Sequence, residues 1–379
     1  MAEVKEKSKS KHKGVKALGI IIAVIVVIAI AATIFIGVTT RTVSDTAENA
    51  PTVGGLRVSD TIDYQIESAK GLEKNFVIKV MQMVWKFCET GDNNKHAKQT
   101  PPENIVKVKN IPYIDDGNAY HQLDVLYPEN LGPGAKLPVI IDIHGGGWMY
   151  GAKDLNEYYC MSLADRGFVV FNMSYRLAPD VTVNEQIQDV AYALKWISEN
   201  MTDYPCDIEN IMLTGDSAGG QLSAYSAVLL QSPELREIFD VVDVDMDLTA
   251  LLLTSPVAYM NTSDPLSIYT KILWGKNYKD KATYNYMNLD EIIDYAQDMP
   301  PTYLITSSGD SLAHDQTVKA YELLNSKGVE CEIADYGEIN GKKLDHVFSV
   351  LDPFDEAGTT AIDGAIEFYR NAMENKIDN

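Results

Sequence analysis

The residues best suited to chemistry in this sequence form a short motif, G-D-S-A-G, at positions 215–219. It follows an apolar run at 208–213 and precedes the helical pattern QLSAYSAVLL. In that setting a sharp strand-to-helix turn strains the serine and exposes its hydroxyl, and only small neighbours allow so tight a turn. We therefore predict that Ser217 is a nucleophile. The alternative, a glycine-rich turn that binds phosphate, is disfavoured because neither G-x-G-x-x-G nor G-x-x-x-x-G-K-[ST] occurs in this turn.

A second stretch, H-G-G-G-W at 144–148, continues directly from a buried-strand pattern at 139–143. Three consecutive glycines leave backbone N–H groups unobstructed. Two of these groups can point at the negative charge that develops on a carbonyl oxygen under attack, and the N–H of Ala218 supplies another donor. The two motifs together predict acyl-transfer chemistry with an oxyanion hole.

A serine nucleophile needs a base that takes its proton and a carboxylate that orients the base. The chain has six histidines, and the chain order serine, acid, histidine leaves His314 and His346 as candidates. Asp310 directly follows the strand pattern PTYLITSSG, and His346 follows the later strand pattern CEIADYG. We predict Asp310 and His346 as the partners and place His314 on a helix surface. Asp315 and Asp345 remain the alternative acids.

The elements that must position these residues are predicted by alternating strand and helix patterns from about residue 101 onward. Two strand patterns, IVKVKNIPY and HQLDVLYP, open the series, and apolar strands then alternate with helical patterns such as NEQIQDVAYALKWISEN. This alternation is typical of an α/β fold with a doubly wound, mainly parallel sheet. Within residues 61–100, apolar residues three or four apart predict one or two helices that end before the sequence GDNN.

The N-terminal region is predicted to anchor the protein in a membrane. Residues 17–40 contain no charged side chain and are long enough as a helix to cross a bilayer. Six lysines lie within the tail 1–16, which places the N-terminus in the cytoplasm and the catalytic body on the other side. Residues 41–60 are small and polar and are interpreted as a linker. A cleaved signal peptide is the alternative, although its apolar region would normally be shorter.

Composition limits the partners and cofactors. Outside the tail the chain carries 26 basic and 52 acidic residues, which argues against binding to nucleic acid. The four cysteines lack metal-site spacing and are interpreted as small apolar residues, with one disulfide as the alternative. The acidic run at 240–247 lacks the glycine and terminal glutamate of a calcium loop and is interpreted as a solvated face. No metal site is predicted, and the oligomeric state does not follow from the sequence.

Five motifs together resemble a known family. The sequence is similar to the α/β-hydrolase fold and, within it, to the hormone-sensitive-lipase-like esterases over about residues 100–375. The motifs stand in that family's order: HGGGW at 144–148, YRLAPD at 175–180, GDSAGG at 215–220, SSGDSLAHDQ at 307–316 and DHVF at 345–348.

The resemblance implies a serine hydrolase that cleaves carboxylic esters without a cofactor. The residues it implies are the catalytic group Ser217, Asp310 and His346 and the oxyanion donors Gly145, Gly146 and Ala218. It also implies a helical cap built from residues 61–100 and from an insertion at 256–298, within a catalytic domain that spans 101–379. The membrane-anchored layout is similar to that of arylacetamide deacetylases. Alternatives are an amidase or deacetylase on the same fold and, as the least favoured, a catalytically silent ligand-binding module.

The sequence departs from the family pattern in two places. Val347 stands where the family usually has a glycine after the histidine, which predicts a change in local loop geometry. The cap insertion is rich in tyrosine and aspartate, which disfavours long-chain lipid substrates and favours small-molecule esters with a short acyl group or a small aromatic group. The aromatic side chains of this insertion, including Trp274 and Tyr286, either line a pocket or form the cap's own core.

Overall fold

The structure is a computed structural model that describes residues 75–260 and 273–378. The tail 1–16, the predicted transmembrane helix at 17–40 and the linker at 41–60 lie outside the described residues. Within the described ranges, the helices are all too short or too polar to cross a membrane.

The described part of the chain is built around an eight-stranded sheet in the order β1-β2-β4-β3-β5-β6-β7-β8. The contacts β1–β2 and β2–β4 are antiparallel, and the other neighbours are parallel. The mainly parallel sheet and its opening pair of strands are therefore confirmed. The strands are β1 (Ile105–Pro112), β2 (Gln122–Pro128), β3 (Leu137–Ile143), β4 (Val169–Met173), β5 (Cys206–Asp216), β6 (Ala250–Thr254), β7 (Thr302–Ser307) and β8 (Cys331–Tyr336), with a separate hairpin of β9 (Glu338–Ile339) and β10 (Lys342–Lys343).

Helices connect the strands and cover both faces of the sheet. They are α1 (Phe76–His96), α2 (Glu157–Asp165), α3 (Val183–Asn200), α4 (Ala218–Leu229), α5 (Pro233–Phe239), α6 (Leu289–Ile292), α7 (His314–Ser326), α8 (Phe348–Leu351) and α9 (Glu356–Asp378). Short 3₁₀ turns lie at Lys153–Asn156, Met201–Asp203, Tyr278–Asp280, Ala282–Tyr286 and Ile293–Tyr295. Because helices cover both faces, the central strands β4 and β6 are buried along their whole length and carry apolar runs instead of an alternating pattern.

The register of the sheet brings the two glycine-rich motifs together. In the parallel pair β3–β5, Ile143 lies opposite Gly215, so both strands end at the same edge of the sheet. The loop at 144–148 leaves β3 there, and the serine turn leaves β5 beside it. The end of β7 at Ser307 lies two strands farther along the same edge. Ligands of open α/β sheets bind at this edge, beyond the carboxyl ends of the strands.

Helix α1 extends farther than the sequence predicted. The expected end before Gly91 is wrong, because the helix continues to His96. Gly91 is exposed and lies in a regular helical turn, so it weakens the helix without ending it. Tertiary contacts stabilise the final turns: the Tyr150 hydroxyl donates a hydrogen bond to Asp92, and the His96 ring stacks on Tyr158 with centroids 4.6 Å apart.

The aromatic side chains of the insertion pack into the main apolar core, which extends beyond the insertion itself. Residues 261–272 lie outside the described residues. In the part that follows, Trp274 is buried with its ring centroid 6.3 Å from that of Phe239, and Tyr286 packs on Phe239 and Tyr295. Of the two interpretations of these aromatic residues, the described contacts favour the structural one.

The four cysteines are free thiols. Cys160 and Cys206 are buried, as expected of small apolar residues, whereas Cys88 and Cys331 are partly exposed. Cys88 lies on α1, which becomes relevant to the site described next.

Candidate active site

The serine turn has the conformation that its small residues predicted. Ser217 joins β5 to α4 with φ 51° and ψ −114°, and its N–H donates to the carbonyl of Thr254 at 2.9 Å. A Cβ at Gly219 would lie 1.9 Å from the carbonyl oxygen of Ile143. The first turn of α4 therefore packs against the end of β3 at a distance that only glycine permits, and the strained serine is held in place by this contact.

His346 and Asp310 form a hydrogen-bonded pair. The Nδ1 of His346 lies 2.8 Å from Oδ2 of Asp310, and the backbone N–H groups of Leu312 and Ala313 donate to Oδ1 at 2.9 Å each. Burial alone would raise the pKa of Asp310. The hydrogen bond from His346, the charge of His346 and the hydrogen bond from the Ala313 N–H together outweigh burial, so the pKa lies below its ordinary value. The carboxylate is thus kept ionised and fixes the orientation of the imidazole.

The alternative acids are not paired with His346. Asp315 is exposed and contacts His314 at 3.1 Å, while the other ring nitrogen of His314 lies 3.0 Å from Asp335. His314 begins helix α7 at the surface, away from the serine turn, as predicted. Asp345 is exposed beside His346. Among these carboxylates and Asp310, the described contacts join only Asp310 to His346.

Val347 adopts the left-handed conformation that the usual glycine would adopt without strain, with φ 49° and ψ 35°. This conformation costs a residue other than glycine about 1–3 kcal/mol. The side chain is buried and belongs to the apolar cluster under α8 and α9, so packing holds the strained backbone in place.

Ser217 and His346 line one cavity of about 220 Å³, which we call the serine cavity. Its walls come from α1, the glycine loop, the serine turn and the loop that carries His346. The Nε2 of His346 is buried and has no hydrogen-bond partner in the described part of the chain, so the bond to Ser217 is not formed here. Such bonds are often long in unliganded sites and tighten when substrate binds.

The glycine loop presents its N–H groups unevenly. The N–H of Gly145 donates to Oδ1 of Asp216 at 2.9 Å and is therefore engaged within the fold, contrary to its expected role as an oxyanion donor. The N–H groups of Gly146, Gly147 and Ala218 have no acceptor among the described residues. Gly146 also lines the serine cavity. The sequence missed this difference because three adjacent glycines look equivalent until the loop conformation is known.

Three polar side chains in and near the glycine loop have structural roles. His144 is buried, its Nδ1 contacts the carbonyl of Gly145 at 2.7 Å, and burial lowers its pKa to about 4. The Tyr175 hydroxyl donates to the carbonyl of His144 at 2.9 Å, with the two rings stacked. Nη2 of Arg176 lies 2.6 Å from Oδ1 of the buried Asp189 and forms an ion pair with it. Tyr175 therefore supports the glycine loop, whereas Arg176 joins its own turn to helix α3.

Asp216 belongs to a buried polar network that the sequence did not reveal. Its Oδ1 accepts hydrogen bonds from the N–H of Gly145 and, at 2.9 Å, from the amide of Asn156. The same amide donates to Asp142 at 3.0 Å. Burial raises the pKa of Asp216 and raises that of Asp142 well above its ordinary value. The available signal was an aspartate inside the apolar strand β3, where a carboxyl group needs partners.

Helix α1 contributes a further part of the cavity wall. Trp85, Cys88, Asp92 and Lys95, spaced three and four residues apart, all line the cavity. This spacing places them on one helical face, but the predicted helix end before Gly91 separated the last two from the first two. The helical period was the signal that would have connected them.

A strained serine on a strand-to-helix turn, above the carboxyl edge of a doubly wound sheet, defines the α/β-hydrolase class. A family model described as alpha/beta hydrolase fold matches residues 140–348, which is more than half of the chain. The chain therefore belongs to this family, and the resemblance drawn from its motifs is confirmed.

Named relatives agree with this assignment. Over 161 residues the chain is 32% identical to esterase LipQ of Mycobacterium tuberculosis, covering 42% of this chain and 36% of LipQ. Over 100 residues it is 42% identical to bovine (Bos taurus) arylacetamide deacetylase, covering 25% of each. The match thus spans about a third of LipQ and a quarter of the deacetylase. The structure of esterase B from Lactobacillus rhamnosis, solved with a C4-C4 tributyrin phosphonate, is similar with a TM-score of 0.74 and 29% identity, covering 79% of this chain and 96% of that one.

Proposed function

We propose that this protein is a serine carboxylesterase. The observation that carries the proposal is the serine cavity, which joins the strained Ser217 to His346, whose imidazole is oriented by a buried carboxylate. The similarity to LipQ and esterase B adds support, since both are named as esterases. No cofactor takes part in the proposed reaction.

The proposed mechanism is a two-step acyl transfer to water. Ser217 attacks the ester carbonyl while His346 Nε2 takes its proton, and Asp310 stabilises the imidazolium that forms. The tetrahedral intermediate collapses when His346 gives that proton to the leaving alcohol. A water molecule then attacks the acyl-enzyme with the same base, which releases the acid and restores the serine.

The proposed oxyanion hole uses the N–H groups of Gly146 and Ala218, together with that of Gly147. We leave Gly145 out, because its N–H already donates to Asp216. A donor bound to a carboxylate cannot turn to a developing oxyanion without breaking a charge-assisted hydrogen bond. Gly145 thus positions the loop, while its neighbours face the reaction.

The proposed substrates are small esters. A cavity of about 220 Å³ is below the roughly 300–1,000 Å³ of typical ligand pockets. The phosphonate in the structure of esterase B also carries short chains. The inhibitor of the similar esterase favours short acyl groups over long ones, while the small cavity limits the size of the ester that can bind.

The proposed cap consists of α1 and the insertion at 256–298, and the proposed membrane anchor is the helix at 17–40 with the body outside the cytoplasm. The serine cavity supports the first part of the cap, since α1 forms one of its walls. The topology is tested by protease treatment of intact cells, which should digest the body and spare the tail.

Hydrolysis of p-nitrophenyl esters from acetyl to palmitoyl tests the proposed function, with Ser217→Ala as the matched variant. We expect turnover that is highest for short chains and is abolished in the variant. A well-folded protein that cleaves none of the esters, or a variant that cleaves them as fast as the wild type, would refute the proposal.

Amide hydrolysis is the second candidate, favoured by the similarity to arylacetamide deacetylase. The same groups can cleave an activated amide, because His346 protonates an amine as it does an alcohol. Comparing p-nitrophenyl acetate with p-nitroacetanilide separates the two functions. A higher kcat/KM for the anilide would favour the amidase.

A further inference from the structure

The serine cavity contains a carboxylate without a cationic partner. Asp92 projects from α1, and its Oδ2 accepts a hydrogen bond from the Tyr150 hydroxyl at 3.2 Å. Among the side chains that the structure describes, none of the lysines, arginines and histidines lies within ion-pair distance of Asp92. Burial of a carboxylate without a counter-charge is unfavourable, and a cationic ligand would supply that charge.

The other charges of the cavity do not neutralise Asp92. Lys95 lines the same cavity, but its ammonium group forms an ion pair with Asp352 at 3.1 Å. Asp216 uses its carboxylate in the buried network below the glycine loop. Asp345, at the exposed edge, adds negative charge. The unpaired charge of the cavity is therefore negative.

Burial raises the pKa of Asp92 to about 6, against the opposing effects of the Tyr150 hydroxyl and the charge of Lys95. The carboxyl group is ionised at neutral pH, at a cost that a bound cation would offset.

Aromatic rings complete the wall next to this carboxylate. Trp85 and Tyr150 both line the cavity, with ring planes 8° apart and centroids 5.9 Å apart. Indole and phenol rings attract cations through their faces, most strongly where water is excluded. An acidic group beside two aromatic rings is a chemical environment that suits an ammonium group.

The cavity reaches the loop that carries His346. Its wall includes Asp345, His346 and Val347, which belong to one loop. The leaving oxygen must come within hydrogen-bond reach of His346 Nε2 to be protonated. An alcohol bound in this cavity would place its leaving oxygen beside His346 and its far end towards α1.

We propose that the serine cavity selects esters whose alcohol carries an ammonium group, with Asp92 as counter-charge and Trp85 and Tyr150 as the aromatic wall. The proposal rests on the proposed function, because it assumes that Ser217 and His346 cleave the ester. The acidic body of the protein, with 52 acidic and 26 basic residues outside the tail, attracts such cations to the entrance.

The test compares acetylcholine with 3,3-dimethylbutyl acetate, its neutral isostere, on the full chain at neutral to mildly alkaline pH by acid release. We expect kcat/KM to be about tenfold higher for the cationic ester. The ratio should fall towards one in Asp92→Asn, which keeps the side-chain size. The control Asp245→Asn removes an equal charge from an exposed position outside the cavity and should keep the wild-type ratio.

The outcomes separate the two proposals. A wild-type ratio near one, or a ratio unchanged by Asp92→Asn, overturns the cation site while ester cleavage still stands. If the wild type cleaves neither ester, the p-nitrophenyl esters decide the proposed function, and the cation site is decided by a measurement that needs no catalysis.

Cys88 supplies that measurement, because its thiol also lines the cavity. The Cys331→Ser variant lacks the other partly exposed thiol. In this variant, mass spectrometry follows the reaction of Cys88 with two methanethiosulfonates, the cationic trimethylammonium-ethyl reagent and the anionic sulfonatoethyl reagent. Relative to a free thiol, the cationic reagent should react about tenfold faster than the anionic one, and Asp92→Asn should remove this preference. Equal relative rates in the protein with Asp92 intact would overturn the cation site.

Discussion

Replacing Asp310 by asparagine tests whether Asp310 orients His346 as the proposed catalytic base. The carboxylate accepts three hydrogen bonds, from His346 Nδ1 and from the N–H groups of Leu312 and Ala313. An asparagine that keeps its oxygen on the two backbone N–H groups turns its amide NH₂ towards His346. The amide then donates to Nδ1, so the proton of the neutral imidazole moves to Nε2, the nitrogen that must accept the proton of Ser217.

Two magnitudes follow for Asp310→Asn. The wrong tautomer removes the general base, and we expect kcat to fall about ten-thousand-fold. Three charge-assisted hydrogen bonds become neutral ones, one of them with reversed direction, so we expect the free energy of unfolding to fall by about 1–3 kcal/mol. The loss of activity is therefore far larger than the loss of folded protein.

Turnover of p-nitrophenyl acetate measures the fall in kcat, and urea titration measures the fall in the free energy of unfolding. The matched control is Asp315→Asn, because Asp315 is exposed and contacts His314 instead of His346. It should keep the activity of the wild type. An Asp310→Asn variant that is folded and retains more than about a tenth of wild-type kcat would refute the assignment.

Three further predictions concern stability and pH. Gly219→Ala places a Cβ 1.9 Å from the Ile143 carbonyl oxygen and should lower the free energy of unfolding by about 3 kcal/mol. In Gly91→Ala the added Cβ meets nothing within 4 Å, and the free energy of unfolding should rise by about 0.5–1 kcal/mol. Urea titrations measure both changes. Equal effects would refute the packing argument. Tyr175→Phe removes a buried hydroxyl bond of 2.9 Å and should cost about 1–2 kcal/mol by the same measurement, while a neutral effect would show that the bond contributes nothing. The lowered pKa of Asp310 means that its stabilising contribution is present above the pKa of the unfolded chain and is lost as pH falls through the folded value. The stability difference between wild type and Asp310→Asn should therefore shrink in acid, and a difference that grows would contradict the sign.

Much of the fold and of the candidate site follows from local sequence patterns. The apolar runs of β3, β5, β6 and β7 are buried on both faces, so they are visible without knowledge of their neighbours. The parallel arrangement then brings the ends of these strands to one edge. For that reason Ser217, Asp310 and His346 could be predicted from spacing and chain order, and the structure brings the last two within 2.8 Å.

The remaining features depend on tertiary contacts that no local pattern contains. Helix α1 runs past Gly91 because its final turns pack against Tyr150 and Tyr158, which lie far along the chain. The N–H of Gly145 is engaged because a carboxylate from another strand reaches it. The carboxylate of Asp92 lines the serine cavity because α1 continues past Gly91. Predicting that the helix ends before Gly91 therefore concealed one wall of the site.

The hydrogen bond from Gly145 to Asp216 links two motifs that lie 71 residues apart in the chain. In the notation G-x-S-x-G the position of Asp216 is written as unrestricted. Here its side chain binds the glycine loop, which carries the proposed oxyanion donors, to the turn that carries the proposed nucleophile. A shift of either segment therefore transmits to the other, and their relative placement behaves as a single mechanical unit. A change at 216 would need a compensating change around Asn156 or Asp142, so these positions should vary together in evolution and show non-additive effects in double-mutant cycles.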